Sequence, residues 1–310
     1  MDTVPLLRCP ACGHHAGDTA GYRPLPFAYR HAGSVLPGGE CPGCGLRGLT
    51  VQPAAHEFAA LYAGSYFKGG DARCGHVGDY FAERPALLRE AAALVAGVLE
   101  PARPRGLTRG GRLLELGCAA GALLEAARER GWSVQGVEYS AAAAAEAERH
   151  GIPVVLGGLA DAALADASFD VAFAGDVLEH VPDPAAVLRE LARVLAPGGA
   201  LVLRGPMATH SLARGLGLAV TGALGRTRWL DEPPYHLWEF TPGPLRRLVE
   251  DSGLRVESFT QAKTPPARTK RRGPLEAVAL DLIDTVNVAW TRATNTRGDR
   301  CTLVARRAAA

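Results

Sequence analysis

The sequence predicts an α/β protein: a parallel sheet with helices on both faces, preceded by a small metal-organised module. From Arg112 onward, short apolar strands alternate with amphipathic helical stretches, the pattern of a sheet covered on both sides. The first strand, Leu113-Leu114-Glu115-Leu116, runs into the turn Gly117-Cys118-Ala119-Ala120-Gly121, and a helix over 122–130 follows. Ahead of these stand two Cys-Pro-x-Cys-Gly knuckles, Cys9-Pro10-Ala11-Cys12-Gly13 and Cys41-Pro42-Gly43-Cys44-Gly45.

The chain has 310 residues, 47% apolar and 21% charged, proportions that support a sizeable core and argue against wholesale disorder. A net charge of +2 supplies no broad field for nucleic acid or an anionic membrane. Lysine is scarce, with only Lys68, Lys263 and Lys270. No segment reaches the roughly 18–20 uninterrupted apolar residues of a membrane span. The first residues lack the basic start and apolar core of a secretory signal. The expected location is the cytoplasm, where paired cysteines act as metal ligands before they act as disulfides.

In each knuckle the two-residue spacer turns both thiolates toward one ion, and four sulfurs complete a tetrahedral Zn²⁺ shell. Cys9, Cys12, Cys41 and Cys44 are therefore the metal ligands of a zinc ribbon over residues 1–52, structural because its shell is closed. So short a unit buries little, and zinc supplies much of its folding free energy. Disulfides or redox thiols are the alternative, and His14 or His15 could replace one cysteine. Tyr22, Phe27 and Tyr29 suggest a hairpin between the knuckles, with Leu46, Leu49 and Val51 completing the ribbon. Cys74 and Cys301 have no such partner and are incidental.

A helical connector spans 53–108. A short helix is expected over 56–66, then apolar residues at helical spacing over 79–100 (Leu87, Leu88, Leu94, Val95, Val98, Leu99), interrupted by Pro85. The catalytic unit is placed at 109–310. Gly117 lets the chain turn sharply, and Gly121 lets the helix start approach a ligand. Nicotinamide-binding domains share such a turn, but here the spacing is Gly-x-x-x-Gly. Glu115 also sits inside the strand, where a pyrophosphate would find no welcome. Glu138 closes the second strand, Val134-Gln135-Gly136-Val137, where a carboxylate can accept both hydroxyls of a ribose.

The run from Phe169 through Gly175-Asp176-Val177-Leu178-Glu179-His180-Val181-Pro182-Asp183, a helix over 184–195, and Ala196-Pro197-Gly198-Gly199 before a strand closely resemble class I S-adenosylmethionine-dependent methyltransferases. The resemblance covers about residues 80–260. The N-terminal part resembles a bacterial subgroup in which a zinc ribbon and a Tyr-Phe segment, here Tyr66-Phe67, precede that domain, a subgroup associated with natural-product, sugar or cell-surface biosynthesis. The resemblance implies a Rossmann-like seven-stranded sheet in order 3-2-1-4-5-7-6, with 254–261 and 300–307 as the final strands. It implies S-adenosylmethionine as cofactor, with Glu115, Gly117, Cys118, Ala119 and Gly121 around the methionine part, Glu138 on the ribose, Tyr139 beside the adenine, and Gly175 within the same site. Where such proteins usually carry an acidic residue after strand three, this chain has Gly157-Gly158-Leu159-Ala160. Backbone groups near Leu159 then take the adenine edge, or Asp161 shifts into that role.

Methyl transfer needs the acceptor close to the methyl group, and positioning alone can supply roughly 7–11 kcal/mol. A base matters for an alcohol or a carbon acid. His236 is the favoured catalytic residue and His180 the second, although Glu179-His180 can equally be a feature of the fold. A lid is expected over 206–240, holding His210, Trp229, Tyr235, His236, Trp238 and Phe240 either around an acceptor pocket or in a packed core, with Thr241 capping the next helix. The insertion over 262–298 combines the cationic residues Lys263, Arg268, Lys270, Arg271 and Arg272 with a helix over 275–290. It fits a phosphorylated or carrier-linked acceptor, a solvated loop, or a dimer contact. The expected partner is a small-molecule acceptor, anionic or carrier-linked, not nucleic acid, with the oligomeric state open. An RNA methyltransferase gripping its substrate with the ribbon, a nicotinamide-dependent oxidoreductase, and a non-catalytic zinc-ribbon binding protein are the rivals.

Overall fold

The computed structural model describes residues 1–309 apart from 18–20, 32, 63–66, 68–78, 105, 108, 231–235 and 265–273. Tyr66, Lys68, Cys74, Tyr235, Arg268, Lys270, Arg271 and Arg272 lie outside the described residues.

The N-terminal unit is built from β1 (Thr3–Pro5), β2 (Arg23–His31), β3 (Ser34–Glu40), β4 (Arg47–Leu49) and β5 (Val51–Pro53). The stretch between the knuckles folds as the hairpin β2–β3, with β4 antiparallel to β3, while β1 pairs with β5. A helix follows at Ala55–Tyr62. The next begins only at Arg84, because Pro85 opens it instead of interrupting it. Proline suits a first turn, where its missing N–H has no intrahelical partner to lose. That helix continues through a π-helical turn, Val95–Leu99, to Ala102.

The catalytic unit alternates β6 (Gly111–Leu116), helix Ala122–Glu129, β7 (Trp132–Glu138), helix Ala141–Arg149, β8 (Val154–Leu156), β9 (Phe169–Gly175), helix Pro184–Val194 and β10 (Leu195–Pro206). Two of these helices have side-chain caps: Ser140 accepts from the Ala143 amide and Asp183 from the Ala186 amide, satisfying donors that the helix start leaves unpaired. After β10 come helix Leu212–Ala223, β11 (Arg228–Leu230), β12 (Trp238–Glu239), helix Pro242–Asp251, β13 (Leu254–Ala262), helix Pro274–Thr294 and β14 (Arg300–Arg307). Thr241 occupies the N-cap position of helix Pro242–Asp251, but its side chain makes no capping bond. The helix instead opens with Pro242, whose missing N–H removes one orphan donor.

Seven strands form one sheet in the order β8-β7-β6-β9-β10-β14-β13. β14 is antiparallel to both neighbours and the other adjacent pairs are parallel. Successive residues of β6 face opposite sides: Leu113 packs with Leu124, Val171 and Val202 under Val95 and Leu99, and Leu114 packs with Leu188, Leu191 and Leu201, the two-residue alternation of a doubly covered sheet.

The N-terminal unit is not closed on itself. β11 adds in parallel to β2 and β12 adds antiparallel to β4, giving a five-stranded sheet β11-β2-β3-β4-β12 drawn from both ends of the chain. Leu36, Leu49, Leu237 and Trp238 belong to the same buried cluster as Leu114 and Leu201. The contact is tight at Gly48, where an added Cβ would lie 2.5 Å from the Leu237 carbonyl oxygen and from the Trp238 ring.

Candidate active site

Chain connections leave β6 toward β7 on one side and reach β9 on the other, so the sheet order reverses between β6 and β9. The carboxyl ends of strands at such a point form a natural crevice. Here the crevice is a cavity of about 2240 Å³, and its wall includes Glu115, Gly117, Cys118, Ala119, Glu138, Tyr139, Leu159 and Gly175. Gly121 is the exception among the nine residues named from sequence. It caps helix Ala122–Glu129 with φ +74°, and its missing side chain accommodates Ala147 and Ile152, while Ala122 and Leu123 face the cavity.

Gly117 takes φ +71°, and a Cβ there would meet Val177 Cγ2 at 2.4 Å. Ala119 also lies in the left-handed region, φ +45°, a conformation that costs a non-glycine residue about 1–2 kcal/mol. That conformation points the Ala119 N–H at Glu138 Oε2, 2.8 Å away, while the Ser140 N–H donates to Oε1 at 2.8 Å. Burial pushes the Glu138 carboxyl upward, and the backbone amides of Ser140, Ala119 and Tyr139 oppose it. Glu115 is buried in β6, and among the described residues its Oε2 has no hydrogen-bond partner. Burial first, and the charge of Glu138 second, hold it well above the usual carboxylate range. A buried, partnerless carboxylate oxygen facing a cavity calls for a cation or donor, which suits the ammonium and sulfonium of S-adenosylmethionine. Cys118 is buried, with its thiol raised by desolvation, and serves as a neutral wall. Tyr139 is half exposed, edge-on to Tyr62 at 6.5 Å. Gly157, Gly158, Leu159 and Ala160 line the cavity and Asp161 does not, its carboxylate instead accepting from the Gly158 amide at 3.3 Å.

The wall of the same cavity also holds His180 and His236, their ring centres 5.0 Å apart. His180 ends the short turn Leu178–His180 after β9. His236 precedes β12, and the Leu237 N–H donates to the Glu179 carbonyl at 2.8 Å. Trp238 donates Nε1–H to the Val181 carbonyl at 2.8 Å, and Leu49 donates to the Leu237 carbonyl at 2.8 Å. The turn, the segment 236–239 and the N-terminal sheet are thereby laced together. Glu179 is buried and pushed up to about 7 by desolvation, with His236 pulling the other way. Burial lowers His236, but Glu239 and Glu179 more than compensate, so it is raised. Asp176, with φ +55°, is spent on Arg300 at 2.6 and 2.7 Å.

The aromatic residues of 206–240 divide. Trp229 is on the cavity wall, under the Arg30 guanidinium at 4.1 Å. Trp238 and Phe240 are in the core, and His210 is not on the wall. Sequence reasoning did not single out Glu239, Arg204, Arg214 or Tyr29, all of which line the cavity. Glu239 stands three residues past His236, a spacing that could have drawn attention. Tyr29 reaches the site only through the N-terminal hairpin.

Cys9 Sγ lies 3.6 Å from Cys44 Sγ, and Cys12 Sγ 3.6 Å from Cys41 Sγ, with all four within 4.8 Å of one another and none in a disulfide. Zn–S bonds of about 2.3 Å place sulfurs about 3.8 Å apart in a tetrahedron, so the four sulfurs fit that ion. His14 and His15 are not in the cluster.

The sequence pattern of the methyltransferase domain matches residues 81–258. A ubiquinone biosynthesis O-methyltransferase of Xanthomonas axonopodis is 32% identical over 186 residues, 57% of this chain and 74% of that protein. Another with the same name, from Pseudomonas putida, is 32% identical over 50% of this chain and 69% of its own. A solved S-adenosylmethionine-dependent methyltransferase from Archaeoglobus fulgidus aligns with a TM-score of 0.49 at 18% identity, over 74% of this chain and 99% of that one.

Proposed function

Because the chain belongs to the methyltransferase family and is an S-adenosylmethionine-dependent methyltransferase, we propose that it methylates a hydroxyl of a small-molecule acceptor in natural-product, sugar or cell-surface biosynthesis. The observation that carries this reading is one cavity whose wall carries both the buried carboxylates Glu115 and Glu138 and the His180–His236 pair.

In this reading Glu115 faces the cationic methionine part over the turn Gly117-Cys118-Ala119, with Gly121 setting the start of the following helix. Glu138 accepts the ribose hydroxyls with lone pairs left over from its two amide partners, and Tyr139 flanks the adenine. The backbone around Leu159 takes the adenine edge, and Gly175 leaves room at the end of β9. The bound cofactor supplies a methyl group on a positively charged sulfur, which the two carboxylates favour electrostatically. The acceptor hydroxyl gives up its proton within the cluster around His236, and the oxygen takes the methyl carbon as its bond to sulfur breaks. The relatives' printed name, O-methyltransferase, supports oxygen as the acceptor atom. The arginines Arg204, Arg214, Arg226 and Arg228 on the wall support an anionic or carrier-linked acceptor.

The four-sulfur cluster supports a structural zinc ion held by Cys9, Cys12, Cys41 and Cys44. The chain then divides into a ribbon (1–52), a connector (53–108) and a catalytic unit (109–310). Within the last, 206–240 covers the acceptor and 262–298 is inserted before the last strand.

Calorimetry with S-adenosylhomocysteine and transfer of labelled methyl to a panel of hydroxylated small molecules test the reading. His236→Ala should keep cofactor affinity and lose roughly 10²–10⁴ in turnover. No binding heat at millimolar S-adenosylhomocysteine, or unchanged turnover in the variant, refutes it.

A further inference from the structure

Glu179, His180 and His236 each present a donor atom, and these atoms lie within 4.8 Å of one another. Two come from the turn after β9 and one from the segment before β12, with the Leu237–Glu179 backbone bond fixing their spacing. His180 Nε2 is 3.8 Å from Glu179 Oε1, too far for a direct hydrogen bond. An ion with bonds of about 2.1 Å wants its donors about 3–4 Å apart, so small side-chain rotations close the set. Glu179 and Glu239 are 2% and 5% exposed, and carboxylates so deeply buried need pairing or coordination. Arg300 is already committed to Asp176. Glu239 stands outside the trio, with Oε1 3.7 Å from His236 Nδ1, a gap that a small side-chain rotation closes to a hydrogen bond. From there a carboxylate orients an imidazole whose other nitrogen is a ligand.

We propose that Glu179, His180 and His236 form a binding site for a divalent first-row metal ion at the cavity wall, with Glu239 orienting His236. This rests on the O-methyl transfer proposed above and specifies how the acceptor oxygen is prepared. Two imidazoles and one carboxylate leave coordination positions open, and a hydroxyl that takes one loses its proton more readily. The two histidines then act as ligands. The proton passes to water, the oxygen–carbon bond forms as the carbon–sulfur bond breaks, and the sulfur leaves as a neutral thioether. The site is separate from the four-thiolate cluster, whose closed shell has no position for substrate.

The test is titration of the zinc-replete full chain with Mn²⁺, followed by electron paramagnetic resonance, alongside calorimetry with S-adenosylhomocysteine. One Mn²⁺ per chain is expected. Glu179→Gln and the double variant His180→Ala/His236→Ala should abolish it, and Glu239→Gln should weaken it about 10- to 100-fold. All should bind S-adenosylhomocysteine as the wild type does, which shows that they are folded. No bound ion at millimolar Mn²⁺, or an ion retained in the double variant, overturns the proposal. If no ion binds while His236→Ala alone still loses turnover at unchanged cofactor affinity, the metal site falls and the base reading stands. Loss of S-adenosylhomocysteine binding by the wild type would instead sink the functional reading, with the ion titration still read on its own.

Discussion

Replacing Glu138 with Gln keeps the shape of the side chain and halves what it can accept. The carboxylate takes one backbone N–H on each oxygen, from Ala119 and from Ser140, both at 2.8 Å. An amide offers one oxygen and one NH₂ group, so one of those buried donors would face another donor. Such an orphan costs about 1–3 kcal/mol. Part is recovered because the neutral amide escapes the desolvation that pushes the Glu138 carboxyl upward. The expected net loss of stability is about 1 kcal/mol. Cofactor affinity should suffer more, since a hydroxyl hydrogen bond to a charged group is worth about 1.5–3 kcal/mol. Losing one weakens S-adenosylhomocysteine about 10- to 100-fold. Calorimetry gives the affinity and urea unfolding the stability. A variant that binds within about threefold of the wild type would show that Glu138 does not hold the ribose.

With zinc held by the four thiolates as proposed, Cys12→Ser should release it and destabilise the fold by about 4 kcal/mol or more, as loss of a structural metal does. Metal analysis and urea unfolding report this, and a variant with full zinc content would remove Cys12 from the ligand set. Glu115→Gln should change how stability depends on pH. Burial and the Glu138 charge raise the folded pKa of Glu115, so the wild type is most stable below the ordinary carboxylate range and loses stability as pH rises through the raised value. The variant lacks that slope and gains about 1 kcal/mol or more relative to wild type at neutral pH, with the gain vanishing in acid. Unfolding curves of the two proteins that stay parallel across this range would contradict the assignment of Glu115 as a buried, uncompensated acid.

The parts legible in the sequence are those whose chemistry is local. Alternating apolar stretches marked β6, β7, β9 and β10 because each strand is buried on both faces, and the knuckles marked the sulfur cluster because two-residue spacing brings thiolates together. Glu115, Gly117 and Glu138 were found for the same reason, since strand, turn and strand end follow one another within a short stretch. What was hidden depends on distant partners. β11 and β12 have three and two residues, too few to show a period, and they exist because β2 and β4 offer edges to pair with. Composition leaves Trp238 open between a pocket and a packed core, and only the fold decides it, since its indole is held by the Val181 carbonyl and by the core. Glu179 and Glu239 come to act together on His236 only when the turn after β9 meets the segment 236–239. Pro85 was misread because the helix pattern shows periodicity and not where the first turn starts.

The five-stranded sheet joins β11 and β12 to a hairpin roughly two hundred residues upstream in the chain. A graft that cuts after β5 would therefore strip the partner strands from β11 and β12 and leave Leu237 and Trp238 facing water. Moving this wall of the cavity between related enzymes requires moving the hairpin and the 228–239 stretch together, as one transplant with two sutures. A disturbance of the four-cysteine cluster would then be felt at His236, just ahead of β12, while the turn at 117–121, carried by a different sheet, keeps its place.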